Sequence, residues 1–373
     1  MTTSSNWMPR ISTSNSENRE RATNRAQSLT HSGTALLALA CVMAAVRPGV
    51  GIAAGAAGTT LRDVVAADYT SYAENAELLR RMSSPLTRLA EERKLAASGE
   101  TLARRPLEVT AERFLIYQPA GPSPPHGFAL LVFVPPWQDA RLPPGWAMVL
   151  ERLRVVFMTA ARSGNQENPL GRRVPLALLA AAEAQRRFTI DPEQVYVAGF
   201  SGGSRIALRL ALAYPDVFRG VILDAGSDPI GTPEVPLPPR DLLALFQART
   251  RIVYLTGERD SDHLADDAVS IRSLHQWCVV NIDQAVQPHV QHEIALPGAL
   301  SQALVALAQR PAESGTLARC RAALDADLAT RLDQAEAFLG RGAAREAAGR
   351  LTQIDARFGG LAAPRSVELA GRL

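Results

Sequence analysis

From Pro106 to about Gln309 the chain alternates short apolar runs with stretches of helical spacing. Arg113–Tyr117 and Ala129–Val134 predict strands parted by the turn-rich segment Pro119–Pro125, and the apolar run Arg154–Thr159 predicts a third. There follow a predicted helix over Leu176–Phe188, a strand over Gln194–Phe200, a helix over Ser204–Ala213 and strands over Gly220–Asp224 and Ile252–Thr256. A helix near Asp267–Cys278, a strand over Val279–Asp283 and a closing helix over Pro297–Gln309 complete the pattern. Strands that are apolar throughout must be covered on both faces, so this region predicts an α/β fold: a mostly parallel sheet between two layers of helices. Reactive loops of such a sheet gather at the carboxyl ends of its strands.

The flanks have a different texture. Between Leu61 and Leu102, Leu78, Leu79, Met82, Leu86 and Leu89 recur at three and four residues and predict a helical preface. Beyond Pro311 the chain is rich in Ala, Leu, Arg, Glu and Asp, and Leu317–Leu339 and Ala343–Phe358 predict two amphipathic helices, broken at Gly340-Arg341-Gly342 and Gly359-Gly360. One such hairpin, of tetratricopeptide type, cannot bury its apolar face alone, so it should dock on the body or pair two copies into a homo-oligomer. The expected organisation is a signal peptide or anchor (1–57), a helical preface (58–105), the α/β domain (106–310) and a C-terminal helical extension (311–373).

Residues 1–33 are polar with four arginines and lead into the 12-residue apolar run Ala35–Val46, then Arg47-Pro48 and the small residues around Ala54-Gly55-Ala56. The run is too short for a hydrocarbon core of about 30 Å and has the form of a secretory signal, so export to a periplasm or beyond is expected. A membrane anchor, or a lipid on Cys41 within Ala38-Leu39-Ala40-Cys41, is the lesser alternative. Residues 1–56 also carry the whole formal charge of +3; the remainder balances, which argues against nucleic acid as a partner. Lys94 is the single lysine, so Schiff-base and phosphate-loop chemistry have almost no candidate. Without Cys41, Cys278 and Cys320 remain, either as a disulfide or as two separate buried thiols. No CxxC or HExxH occurs, so neither a metal nor a cofactor is expected.

The strongest chemical signal is Gly199-Phe200-Ser201-Gly202-Gly203, directly after an apolar strand and directly before an amphipathic helix. A serine aimed outward from a strand end needs a bend so tight that flanking side chains would collide, and Gly199 and Gly203 remove those collisions. The Gly202 amide then begins a helix, where unpaired N–H groups favour a negative oxygen. The stretch Thr189–Gly203 resembles the nucleophile segment of α/β-hydrolases of the polyhydroxybutyrate-depolymerase and feruloyl-esterase type, the likeness extending over roughly 106–310 and being sharpest at the elbow. It implies that Ser201 is the nucleophile of a serine esterase.

In that fold the acid and the histidine follow the serine in chain order. The resemblance assigns the acid to Asp260 in Gly257-Glu258-Arg259-Asp260, with Glu258 and Asp262 as competitors, and the base to His292 ahead of the last helix, with His289 as competitor. Gln291 stands where relatives commonly have glycine. His126, His263 and His275 read as surface or packed histidines, and His31 falls in the targeting segment. For the second oxyanion donor relatives offer His-Gly, whereas this chain has Pro135-Pro136-Trp137-Gln138; prolines lack an N–H, so the first available amide is that of Trp137, followed by that of Gln138. Trp137 and Trp146 either wall an acyl pocket or pack on the domain. The expected protein is an exported serine hydrolase that cleaves a small or polymeric carboxylic ester. A serine peptidase of the same fold and a non-catalytic binding protein on a hydrolase scaffold are the alternatives.

Overall fold

A computed structural model describes residues 57–309 and 315–373; the expected signal or anchor falls, but for Ala57, outside them. Eight strands form one sheet: β1 (Thr59–Val64), β2 (Phe114–Gln118), β3 (Phe128–Val134), β4 (Val155–Ala160), β5 (Ile190–Phe200), β6 (Gly220–Asp224), β7 (Arg251–Gly257) and β8 (Ile282–Gln287). They lie in the order β1-β2-β4-β3-β5-β6-β7-β8. β1 and β2 run antiparallel to their neighbours, and all pairs from β4 through β8 are parallel. This is the α/β-hydrolase fold.

Alternation along β3 shows how the sheet is covered. Leu130, Val132 and Val134 point into one core and Leu131 and Phe133 into the other, as the two-residue period of a strand requires. On the first face lie α4 (Val174–Arg187), α5 (Gly202–Ala213), α6 (Arg240–Arg249) and α7 (Ser261–Gln276). On the second lie α3 (Trp146–Leu153) and α8 (Pro297–Leu307).

The flanks differ from expectation in part. The segment 58–105, expected to be helical, opens with the edge strand β1, Thr-Thr-Leu-Arg-Asp-Val, in which only Leu61 and Val64 are partly covered, before α1 (Asn75–Met82) and α2 (Pro85–Ser98). A strand with no buried residue and a partner on one side leaves little apolar signal. The C-terminal helices α9 (Gly315–Gly340) and α10 (Ala344–Phe358) form the expected hairpin, and a short α11 (Arg365–Gly371) follows. Their apolar face docks on the body: Leu328, Leu332, Leu351, Ile354 and Phe358 share the core that covers the first sheet face. Asp355 of α10 also caps α2, accepting from the Ser84 hydroxyl and, at 2.9 Å, from the Leu86 amide. Cys278 and Cys320 are joined, with Cα atoms 5.8 Å apart, so the open question about these thiols resolves as a disulfide tying α9 to the turn after α7.

The strand expected at Val279–Asp283 is displaced to Ile282–Gln287. Cys278 and Val279 are buried in the turn that holds the disulfide, and the true edge strand, Ile-Asp-Gln-Ala-Val-Gln, is less apolar than the turn before it. Among the described residues no helix is long and apolar enough to cross a membrane.

Candidate active site

β5 ends at Phe200 and α5 begins at Gly202, leaving Ser201 alone to turn the chain with φ 55° and ψ −125°. A side chain in that region is strained and persists only where its surroundings hold it. Here the Ser201 amide donates to the Asp224 carbonyl at 2.8 Å, and the Ser201 carbonyl accepts from the Ser204 amide at 3.0 Å. A Cβ on Gly199 would lie 2.2 Å from the Gly203 carbonyl, and one on Gly203 would lie 2.0 Å from the Val134 oxygen. Only glycine lets β3, β5 and α5 approach this closely. Gly202 is the first residue of α5, where an N–H has no acceptor within the helix.

Asp260 follows β7 and occupies the N-cap of α7, and His292 lies on the loop between β8 and α8. The Ser201 Oγ is 3.0 Å from His292 Nε2, and His292 Nδ1 is 2.7 Å from Asp260 Oδ2. The Asp260 carboxylate as acceptor fixes the Nδ1–H tautomer and leaves Nε2 as acceptor for the serine hydroxyl. Burial pushes the Asp260 carboxyl up, but hydrogen bonds from His263 and His292 outweigh it and hold the group below the usual carboxylate range. Phe200 stacks on the His292 ring at 4.9 Å.

The competing residues lie outside this path of bonds. Glu258 accepts from the His289 amide at 2.8 Å, and the His289 side chain is 80% exposed. Asp262 and His126 are exposed, and His275 bonds to the Val279 carbonyl at 3.1 Å. His263 differs from its reading as a surface or packed histidine. Its Nδ1 is 2.8 Å from Asp260 Oδ1, and its ring lies 4.2 Å from that of His292 at an interplanar angle of 13°. The missed signal was the i, i+3 spacing from Asp260 across the first turn of α7.

The loop carrying His292 is clamped on several sides. The Asp224 Oδ2 accepts the Ala295 amide at 2.7 Å, the Trp146 indole donates to the Ala295 carbonyl at 2.9 Å, and Gln287 Oε1 accepts the Leu296 amide at 3.0 Å. Trp146 is therefore a packing residue that fixes this loop. Asp224 is fully enclosed, and burial raises its carboxyl well above the ordinary range.

On the other side of Ser201, Trp137 sits half-buried on the loop after β3, its ring 6.3 Å from Phe200 with the Arg141 guanidinium 4.1 Å above it. The loop is pinned because the Pro136 carbonyl accepts the Asn165 amide at 3.0 Å and the Pro135 carbonyl accepts from buried Arg173, also at 3.0 Å. The Asn165 amide side chain covers Gly202, where a Cβ would come within 2.4 Å of its Oδ1.

Asp260, His263 and His292 also bring metal-ligating atom types within 4.8 Å of one another. Both Nδ1 atoms are already bonded to the carboxylate, and two nearly parallel rings direct their lone pairs side by side rather than to a common point, so the cluster is a hydrogen-bonded relay.

No family model matches the chain. An inferred esterase, NocK, of Nocardia uniformis subsp. tsuyamanensis is 45% identical over 58 residues, which are 15% of this chain and 17% of that protein. The poly(3-hydroxybutyrate) depolymerase of Ralstonia pickettii is 44% identical over 43 residues, 12% of this chain and 9% of that protein. The matched segments thus span under a fifth of either relative. Among solved structures, S-formylglutathione hydrolase (FrmB) of Staphylococcus aureus aligns over 53% of this chain and 93% of its own, with 13% identity and a TM-score of 0.43. The chain is an α/β-hydrolase-fold protein with short segments similar to an esterase and to a poly(3-hydroxybutyrate) depolymerase.

Proposed function

We propose that the protein is an exported serine hydrolase that cleaves a carboxylic ester through an acyl-enzyme on Ser201. The observation that carries this reading is the continuous path from Ser201 Oγ to His292 Nε2 at 3.0 Å and from His292 Nδ1 to Asp260 Oδ2 at 2.7 Å. As Oγ attacks the ester carbonyl, its proton passes to Nε2, and the ionised Asp260 stabilises the imidazolium and keeps its orientation. The carbonyl oxygen becomes an oxyanion facing the Gly202 amide, with the Trp137 amide as second donor. Collapse breaks the bond to the alkoxy group, which leaves as an alcohol with the proton from His292. Water, deprotonated by the same imidazole, then attacks the acyl-enzyme, releasing the carboxylic acid and regenerating Ser201.

Ester chemistry is favoured because both curated relatives carry ester-cleaving names, one of them acting on a polymeric ester. Export is supported by the Cys278–Cys320 disulfide, since such bonds persist in oxidising compartments. The test is hydrolysis of a short-chain p-nitrophenyl ester. Wild-type protein turns it over, and Ser201→Ala lowers kcat by at least about 10⁴-fold with its circular dichroism unchanged. Equal hydrolysis by the variant refutes the assignment.

A further inference from the structure

Asp260 serves two imidazoles, one on each oxygen. His292 Nδ1 takes Oδ2 at 2.7 Å and His263 Nδ1 takes Oδ1 at 2.8 Å. The two rings are nearly parallel with centroids 4.2 Å apart, and Phe200 stacks on His292 at 4.9 Å and 29°. Two rings stacked this closely cannot share one face, so His292 is sandwiched between His263 and Phe200.

We propose that His263 is a positioning residue of the relay, which locks Asp260 through its second oxygen and supports catalysis only while its own ring is uncharged. The proposal rests on the hydrolase reading of Ser201, His292 and Asp260.

A carboxylate held by one donor can turn about its terminal bond and offer either oxygen. The second donor, supplied from the same helical turn at i+3, removes that freedom and keeps Oδ2 aimed at His292. Charge sets the other condition. His292 becomes an imidazolium when it takes the serine proton, and a neutral ring on its face tolerates this. A protonated His263 would instead set a like charge 4.2 Å away, where the repulsion is large in a partly buried site. Asp260, the carboxylate that faces both rings, can offset only one added charge. Asp267, one turn along α7, is buried and bonded by the Ser227 and Thr256 hydroxyls, and Asp266 is paired with Arg205. Phe200 and Ser201, from the elbow, are uncharged. A proton on either imidazole therefore stops the reaction.

Two variants separate geometry from charge. His263→Asn keeps an N–H able to reach Asp260 but does not titrate, and His263→Leu keeps neither property. With a chromogenic ester at the pH plateau, His263→Leu is expected to lower kcat about tenfold to a hundredfold with KM within about twofold, the scale of one lost bond to a charged acceptor. His263→Asn should restore kcat to within about threefold. In the linear part of the acidic limb His263→Asn should keep about twofold or more of its own plateau kcat/KM relative to wild type, because one of two inactivating protonations is gone. A residue that only packs would not move that limb. Independently of turnover, proton NMR should show two low-field imidazole N–H signals in wild type and one in either variant. The proposal is overturned if both variants lose kcat equally, if the acidic limb of His263→Asn coincides with that of wild type, or if wild type shows a single low-field signal. Failure of the hydrolase reading would instead appear as wild-type protein that cleaves no ester while both low-field signals are present.

Discussion

The Asp224 carboxyl, at the end of β6, accepts the Ala295 amide at 2.7 Å, three residues beyond His292. A side chain from the strand beside the elbow thus sets the reach of His292 towards Ser201, whose own amide is held by the Asp224 carbonyl at 2.8 Å. One residue anchors both Ser201 and the loop that carries His292.

This anchor has a pH signature. Because burial raises the folded-state pKa of Asp224, its contribution to stability is complete below the unfolded carboxyl value, near 3.9, and is lost as pH rises towards the folded value. Asp224→Asn keeps an oxygen for the Ala295 amide and cannot ionise. Denaturant unfolding across pH should therefore show the variant gaining stability relative to wild type as pH rises, with esterase activity retained. Asp224→Leu, which leaves the Ala295 amide without its acceptor, should lose activity through a displaced His292.

The two glycines after the nucleophile should fail differently. A Cβ on Gly203 meets the backbone oxygen of Val134 at 2.0 Å, which cannot move without parting α5 from β3. Gly203→Ala is expected to destabilise the fold by more than about 3 kcal/mol, in the range of severe backbone conflicts. At Gly202 the obstacle is the end of the Asn165 side chain at 2.4 Å, which can swing away. Gly202→Ala should therefore fold and lose turnover, because the methyl group and the displaced amide crowd the oxyanion position. Thermal unfolding and kcat, measured together on both variants, distinguish the two outcomes.

The disulfide Cys278–Cys320 closes a loop with a sequence separation of 42. The chain-entropy account assigns such a crosslink about 4 kcal/mol. Reduction, or Cys320→Ser with Cys278→Ser, should lower the thermal midpoint by several degrees. The site should remain active below the transition, because Ser201, His292 and Asp260 are held by bonds that do not involve α9.

The sheet core was legible in the sequence because the central parallel strands are apolar on both faces, so β3, β5, β6 and β7 stand out from the polar segments beside them. The elbow was legible for a steric reason: glycine at 199 and 203 is what the backbone demands there. Asp260 and His292 could be named through chain order and the resemblance, and their separation could not, because it depends on how the loops after β7 and β8 fold back. β1 and β8 were missed or displaced because edge strands carry mixed polarity. His263 and Asp224 were passed over for a shared reason. An aspartate at a strand end has no pattern of its own, and the i, i+3 spacing of His263 from Asp260 gains meaning only when the two side chains are within 3 Å.

The central claim, that Ser201 is a nucleophile activated by His292, is tested most directly by a fluorophosphonate probe with the adduct located by mass spectrometry. Wild-type protein should carry the adduct on Ser201, Ser201→Ala should carry none, and His292→Ala should label at least about 10³-fold more slowly. Folded wild-type protein that takes up no probe, or takes it up at another residue, would contradict the claim.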